Sequence, residues 1–321
     1  MKNRSVSVTG ATGFLGSQIA VELVARGWSV RAIVRPGSTK ATPEGVDRRE
    51  APLEAAALTA AFGQSEVVVH AAGLTRGRSD RQFRAVNIDG TRAVVGAAND
   101  ARARLIHISS LAAIGPGTPA RPAHEDDRPQ PLTPYAKSKL ASEAVVRSDA
   151  HVPWTILRPS AVYGPGDREF LPLVRLAMRG IFPLLAPSST AFTLVYVDDV
   201  ARAVAMVADD QRSVGEAMFI GHPSPQTAYA ILRQLAQTVN RPFKPRRIPT
   251  VLLRPLALAG EIAWHVGRRP LFDMARFAEL RAAGFVCSVD RAQALIGFTA
   301  ETSLVDGFER TVRWYRARGW L

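Results

Sequence analysis

A phenol and an ammonium stand four residues apart at Tyr135 and Lys139, a spacing that puts both side chains on one face of a helix. Pro134, directly ahead of them, suits a helix's first turn. A phenol ionises near pH ~10 and is a poor acid–base catalyst at neutral pH, but a neighbouring ammonium favours the phenolate. Lys139 is therefore expected to lower the pKa of Tyr135. Ser110 follows the apolar run Leu105–Ile108, and its hydroxyl can donate to an oxygen on which charge develops. The three groups point to proton transfer at a carbonyl or alcohol oxygen. A Tyr four residues ahead of a Lys is by itself only a solvated helix face, so the pair needs its company.

That company is the loop Thr9-Gly10-Ala11-Thr12-Gly13-Phe14-Leu15-Gly16. It follows a strand pattern and opens a helix pattern, the context in which a glycine triplet becomes a specific dinucleotide signal. One glycine permits an unusual φ, one lets backbone approach a pyrophosphate, and one lets helix and strand pack closely. Gly10, Thr12, Gly13, Phe14 and Leu15 are the expected cofactor contacts, at a helix N-terminus whose free N–H groups suit phosphate. A ribose with a free 2′-hydroxyl is usually held by an acidic residue at the tip of the second strand. Arg35 stands there instead, with Ser38 and Lys40 close by. A guanidinium matches a 2′-phosphate, so NADP(H) is the preferred cofactor, with NAD(H) the alternative.

The elements that must position these groups are legible as an alternation. Short apolar strands at Ser5–Val8, Val30–Val34, Val67–His70, Leu105–Ile108 and Trp154–Leu157 are separated by helix-length amphipathic stretches, the first at Ser17–Arg26. Strands without strict alternation are buried on both faces. The expected fold is α/β, a doubly wound parallel sheet of the Rossmann kind with a smaller, mostly helical C-terminal substrate lobe. Prolines 165, 172, 183 and 187 break the pattern after Pro159, and sheet-like sequence returns at Phe192–Val197 and Ala217–Ile220. The expected division is residues 1–165 and 192–222 for the dinucleotide unit, and 166–191 and 223–321 for the substrate lobe.

Among 321 residues, 41 Lys and Arg against 28 Asp and Glu leave a formal charge of +13. The arginines are scattered singly, aromatics are only 7%, and no nucleic-acid-binding motif is present. No nucleic-acid partner is expected. One cysteine, Cys287, excludes an internal disulfide framework and reads as a small buried apolar residue. The N-terminus Met1-Lys2-Asn3-Arg4 runs directly into a strand pattern without an apolar leader, so a cytoplasmic protein is expected. His70 and His107 fall on core strands, no metal-ligand spacing is present, and no Gly-x-Ser-x-Gly elbow surrounds a serine. The stretch 249–266, rich in leucine and preceded by Lys244-Pro245-Arg246-Arg247, is too short and interrupted to span a bilayer. It is expected to be a core helix of the substrate lobe, with peripheral membrane contact or a lipophilic pocket as the alternative.

Taken together, these motifs resemble the extended short-chain dehydrogenase/reductases, the superfamily of NAD-dependent epimerases, dehydratases and 3β-hydroxysteroid dehydrogenases. The resemblance spans nearly the whole chain. It adds His70-Ala71-Ala72-Gly73, which implies that Ala71, Ala72 and Gly73 lie under the cofactor, and Leu157-Arg158-Pro159 with Val162-Tyr163-Gly164-Pro165-Gly166, which implies nicotinamide contacts at Pro159 and Val162. Tyr196-Val197-Asp198-Asp199-Val200 is similar to a further shared block. The resemblance implies Ser110, Tyr135 and Lys139 as catalytic residues, with Tyr135 and Lys139 also touching the cofactor. Ala51-Pro52-Leu53 departs from the family's Gly-Asp-Leu, removing a side-chain contact to the adenine, and Leu111-Ala112 replaces the Asp-Glu pair of sugar dehydratases. Elimination is thereby disfavoured. The implied activity is hydride transfer between nicotinamide and a ketone or secondary alcohol of a bulky, lipophilic, steroid-like small molecule, since Arg35 resembles the arrangement in dihydroflavonol-reductase-like members and the C-terminal segment is similar to that of 3β-hydroxysteroid dehydrogenases. Nucleotide-sugar epimerisation is the alternative, and a non-catalytic NADP(H) sensor a second one. The family's use of helices beside the tyrosine to pair subunits implies a homodimer.

Overall fold

The computed structural model describes residues 4–265, 270 and 272–321. Met1, Lys2 and Asn3 of the N-terminal reading and Val266 of the 249–266 stretch lie outside the described residues.

The first half alternates as the apolar runs require. Strand β1 (Ser5–Thr9) leads into helix α1 (Phe14–Ala25), then β2 (Ser29–Val34), β3 (Asp47–Glu50), α2 (Ala55–Phe62) and β4 (Val67–His70). After β4 come a short α3 (Asp80–Phe83), a π-helical stretch Arg84–Asp89, α4 (Gly90–Ala101) and β5 (Arg104–Ile108). Then α5 (Pro134–Asp149), β6 (Trp154–Pro159), β7 (Ala161–Tyr163), α6 (Leu171–Met178), β8 (Phe182–Leu184), β9 (Ala191–Phe192) and β10 (Leu194–Tyr196) lead to α7 (Val197–Asp209) and β11 (Ala217–Ile220). The remainder is β12 (Gln226–Thr227), α8 (Ala228–Thr238), β13 (Pro245–Arg247), α9 (Thr250–His265), α10 (Met274–Arg281), β14 (Gly284–Phe285), α11 (Asp290–Ile296) and α12 (Leu304–Ala317). Helix α1 begins three residues before the expected Ser17 because Gly13 donates to the Gly10 carbonyl and turns the chain at once into helix.

Seven strands form one parallel sheet in the order β11-β6-β5-β4-β1-β2-β3. The order reverses between β1 and β4, and a crevice at the carboxyl ends of strands is the ligand site of such sheets. Val6, Val8, Val67, Val69, Ile106 and Leu157 pack against α1 and α7, whereas Val68, Leu105 and Ile156 pack against α2, α4 and α5. The sheet is covered on both faces, as its apolar strands demand. Strand β3 escapes the sequence pattern because Asp47-Arg48-Arg49-Glu50 is polar throughout, a composition tolerated at a sheet edge.

Outside the sheet, a second apolar cluster joins Tyr163, Val174, Phe182, Leu235, Phe308 and Tyr315, and a third joins Leu253 and Ala257 of α9 with Phe272 and Phe277. Residues 290–300, grouped on sequence with the substrate lobe, send Ala292, Ile296, Phe298 and Ala300 into the main core. Their apolar side chains cover the sheet face shared with α7, so the chain returns to the first unit before its last helix. The core-helix expectation for 249–266 holds along one stripe of α9 only. Leu253 and Ala257 are buried, but Val251, Leu252, Leu256, Leu258 and Ile262 are exposed.

Candidate active site

The glycine loop is built as its spacing implies. Gly10 has φ +75°, and a Cβ there would lie 2.6 Å from the Ala72 nitrogen, so side chains are excluded where the β1 and β4 loops cross. A Cβ on Gly16 would lie 2.2 Å from the Gly10 carbonyl oxygen, which is the close approach of helix to turn. Helix α1 has no side-chain cap at Gly13, and the N–H groups of Phe14 and Leu15 find no acceptor among the described residues. Two unpaired donors on the positive end of a helix dipole fit a pyrophosphate. Ala71 and Gly73 continue from β4 beside this loop, Ala71 N–H donating to the Thr9 carbonyl. Pro159 ends β6, and Val162 lies on β7, half-buried against the core.

Arg35 lies at the tip of β2, exposed, with no ion-pair partner among the described residues. Its loop is held from below. Arg48 donates to the Ser38 and Lys40 carbonyls, and the Glu50 carboxylate accepts from Gly37 N–H. The hydrogen bonds from Arg48 and Gly37 hold Glu50 below the usual carboxylate range.

The candidate catalytic groups lie together near the carboxyl end of β5. Thr133 caps α5 by accepting from Ala136 N–H, Pro134 occupies its first turn, and Tyr135 and Lys139 follow one turn apart. Ser110 lies close enough to the Tyr135 phenol to favour its ionised form, and its hydroxyl accepts from Ala112 N–H at 3.2 Å. Lys139 is buried and donates to the Ile108 carbonyl at 2.6 Å. Burial lowers the Lys139 ammonium to about 8, opposed by Glu143. The expected depression of Tyr135 is not found. Desolvation pushes its pKa up, and the groups that act on it are Ser110, Glu279 and Arg276 rather than Lys139. The reason is burial: the phenol is cut off from water, which disfavours its ionised form.

Four features that the motifs did not reveal hold this geometry. Asn87, in the π-helical stretch, donates to the Ser138 hydroxyl at 2.8 Å and to the Leu74 carbonyl at 2.9 Å, and accepts from Leu74 N–H at 2.7 Å. A π-bulge often marks a functional position, but nothing in the local spacing betrays it. Glu143, on α5, takes a bidentate ion pair from Arg158 at 2.9 and 2.7 Å and accepts from Ser109. His107 bonds Ser142 of α5 at 3.0 Å, while His70 bonds Thr9 and Thr91. Burial lowers His70 to about 3 and holds His107 well below its ordinary value, so both rings are neutral anchors. Finally, α10 brings Arg276 and Glu279 close enough to act on the phenol. Arg276 binds Glu279 at 3.2 Å and Glu169 at 2.8 Å, and Arg76 binds Asp273 at 3.2 Å and Glu169 at 3.5 Å.

Among the described residues, no group of three or more His, Cys, Asp or Glu could hold a metal, and no helix is long and apolar enough to cross a membrane. Cys287 is buried, and desolvation pushes its thiol up to about 12.

The model of the NAD dependent epimerase/dehydratase family matches residues 6–221. A ceramide reductase of Caulobacter vibrioides is 33% identical, with 98% of this chain and 96% of that protein covered. A 4-hydroxy-2-methyl-3-oxo-4-farnesyl-3,4-dihydroquinoline-1-oxide ketoreductase of Stigmatella aurantiaca is 29% identical, with 94% of each covered. A solved structure, MoeE5 in complex with UDP-glucuronic acid and NAD, is 26% identical and superposes with a TM-score of 0.76 over 98% of this chain and 99% of that one.

Proposed function

Because this chain belongs to the NAD-dependent epimerase/dehydratase family, we propose that it moves a hydride between NADP(H) and a ketone or secondary alcohol of a bulky, lipophilic substrate. It is an NAD(P)-dependent enzyme of the extended short-chain type. When bound, the nicotinamide supplies or accepts the hydride. Phe14 and Leu15 N–H groups would hold its pyrophosphate, and Lys139 and Pro159 would border its ribose and ring. In the reductive direction Tyr135 gives its phenolic proton to the substrate oxygen, and Ser110 donates a hydrogen bond to the same oxygen. Burial raises the Tyr135 pKa, so the phenol carries its proton at neutral pH, and Ser110 works in the opposite direction, easing the proton's release. Leu111, buried beside Ser110, leaves no carboxylate at that place for elimination.

The observation that carries the substrate class is the pairing of charge near Tyr135. Arg276 and Arg76 are both bound by carboxylates, Glu169 serving both. A nucleotide diphosphate needs positive charge that is not already neutralised. Beyond these pairs stands the apolar cluster of Leu253, Ala257, Phe272 and Phe277, which suits an alkyl or ring surface. The ceramide reductase and farnesylated-quinoline ketoreductase, whose names both carry lipophilic substrates, support the same reading. Arg35, exposed at the β2 tip without a partner among the described residues, supports NADP(H) over NAD(H).

The test is nicotinamide absorbance with long-chain keto lipids, ketosteroids, aromatic ketones and UDP-sugars. Turnover is expected on apolar ketones with NADPH favoured over NADH. Arg35→Ala should raise the KM for NADPH about tenfold and leave that for NADH unchanged, as for one lost charge-assisted contact. Conversion of UDP-sugars alone, with no net change in nicotinamide, would replace this reading with epimerisation.

A further inference from the structure

Helix α9 has the wrong outside for a helix surrounded by water. Val251 is 76% exposed, Leu252 59%, Leu256 54%, Leu258 50% and Ile262 67%. The other exposed large apolar residues, such as Val21, Leu132 and Val305, are scattered singly over the fold, which is ordinary for a protein surface. At 3.6 residues per turn, the exposed apolar positions of α9, with Pro255 and Ala259, fill an arc of roughly 160°, with Arg254 at its edge. Its buried side, with Leu253, Ala257 and Gly260, packs against α10 and the segment before it. The exposed arc is therefore a continuous apolar face on a helix already anchored to the protein.

The exposed charge around this face is basic, since Glu261, the acidic residue of α9, is half-buried and accepts from Met274 N–H at 3.1 Å. Lys244, Arg246 and Arg247 are exposed on the strand segment leading into α9, and Arg254 lies on the helix itself. None of these four has an ion-pair partner among the described residues. No acidic residue occurs between positions 244 and 260. An apolar face with basic residues at its approach is the arrangement of a helix that lies in a membrane interface, its apolar side in the acyl boundary and its cations at anionic headgroups.

We propose that α9 docks this protein on an anionic lipid bilayer, with Leu252, Leu256, Leu258 and Ile262 inserted and Lys244, Arg246, Arg247 and Arg254 at the headgroups. The docking is a property of the surface and stands independently of the substrate. It is read as binding without turnover, so a wrong substrate class leaves it intact.

Co-sedimentation of the full chain with vesicles tests it, using phosphatidylcholine alone and phosphatidylcholine mixed with phosphatidylglycerol. The full chain should bind the mixed vesicles strongly, the neutral ones weakly, and lose the difference at high salt. The double variant Leu256→Asp with Ile262→Asp should bind at least about tenfold more weakly. Arg246→Ala with Arg247→Ala should weaken binding about 30-fold on the mixed vesicles only, at roughly 1 kcal/mol per cation. Unchanged cofactor binding, followed by nicotinamide fluorescence, verifies the fold of each variant. No binding to mixed vesicles, or equal binding by all variants, overturns the proposal. So does a dimer in solution that the Leu256→Asp, Ile262→Asp variant converts to monomer while neither form binds vesicles, since a second copy would then cover the face.

Discussion

Helices α5 and α9 are each 16 residues long and each carries a proline, yet they hide opposite kinds of side chain. Inward on α5 are Ser138, Lys139, Ser142 and Glu143, all buried. Each has a partner: Asn87 for Ser138, the Ile108 carbonyl for Lys139, His107 for Ser142, and Arg158 with Ser109 for Glu143. A polar group out of water is costly unless it is bonded, and these partners tie α5 to the β5 and β6 ends and to the π-helical stretch. The hidden polar groups therefore set where Tyr135 points. Helix α9 shows leucine and isoleucine outward and rests on a narrow apolar stripe. For α9 the core-helix expectation fits only the stripe of Leu253 and Ala257. What separates the two helices is that α5 buries bonded polar groups beside Tyr135, whereas α9 exposes unbonded apolar ones.

The sharpest separation is expected in turnover. Tyr135→Phe removes the proton donor and should lower kcat at least about 100-fold while leaving cofactor affinity within about threefold. Stopped-flow absorbance and fluorescence titration measure the two. Retained turnover in that variant would remove the reason given for the polarity of α5.

Next in size is the buried ion pair. Glu143→Ala leaves Arg158 charged and unpaired in the core, at a cost of about 3–5 kcal/mol in chemical denaturation. The double change Glu143→Leu with Arg158→Met should recover much of that loss, since both charges then leave the core.

Lys139 gives a dependence on pH. Burial holds it at about 8, below the ordinary lysine value. Between about pH 8 and that ordinary value the unfolded chain carries a proton that the folded chain lacks, so stability rises with pH. The rise is at most ~1.4 kcal/mol per pH unit, and Lys139→Met should flatten it in denaturation curves taken across that window. A curve of unchanged slope would mean that the ammonium is not desolvated as its position on α5 requires.

The smallest effect belongs to α9. Leu256→Ser should change stability by no more than about 0.5 kcal/mol, whereas an equivalent truncation at buried Leu253 should cost about 2–5 kcal/mol. If Leu256→Ser destabilised as strongly as the Leu253 change, the contrast between the helices would fail.

Much of the site could be read along the chain, because its motifs are local. The glycines of residues 10–16 lie within two turns of one another, and Tyr135 and Lys139 are one helical turn apart. Apolar runs between them mark the strands β1, β2, β4, β5 and β6 because each must be covered on both faces. The polar edge strand β3 and the π-helical Asn87 gave no such signal. An edge strand does not need apolar residues, and a π turn is set by what it packs against.

The chain's residue pattern alone was enough for the doubly wound sheet and the tight glycine turn, and it nominated Ser110, Tyr135 and Lys139 as candidates. All of them depend on short-range spacing and on the period of apolar residues. It took the fold to show that Lys139 donates to the Ile108 carbonyl, that Tyr135 is desolvated, and that α9 turns Leu252, Leu256 and Leu258 outward. Desolvation and pairing depend on which distant segments meet, and a one-dimensional pattern does not carry that information.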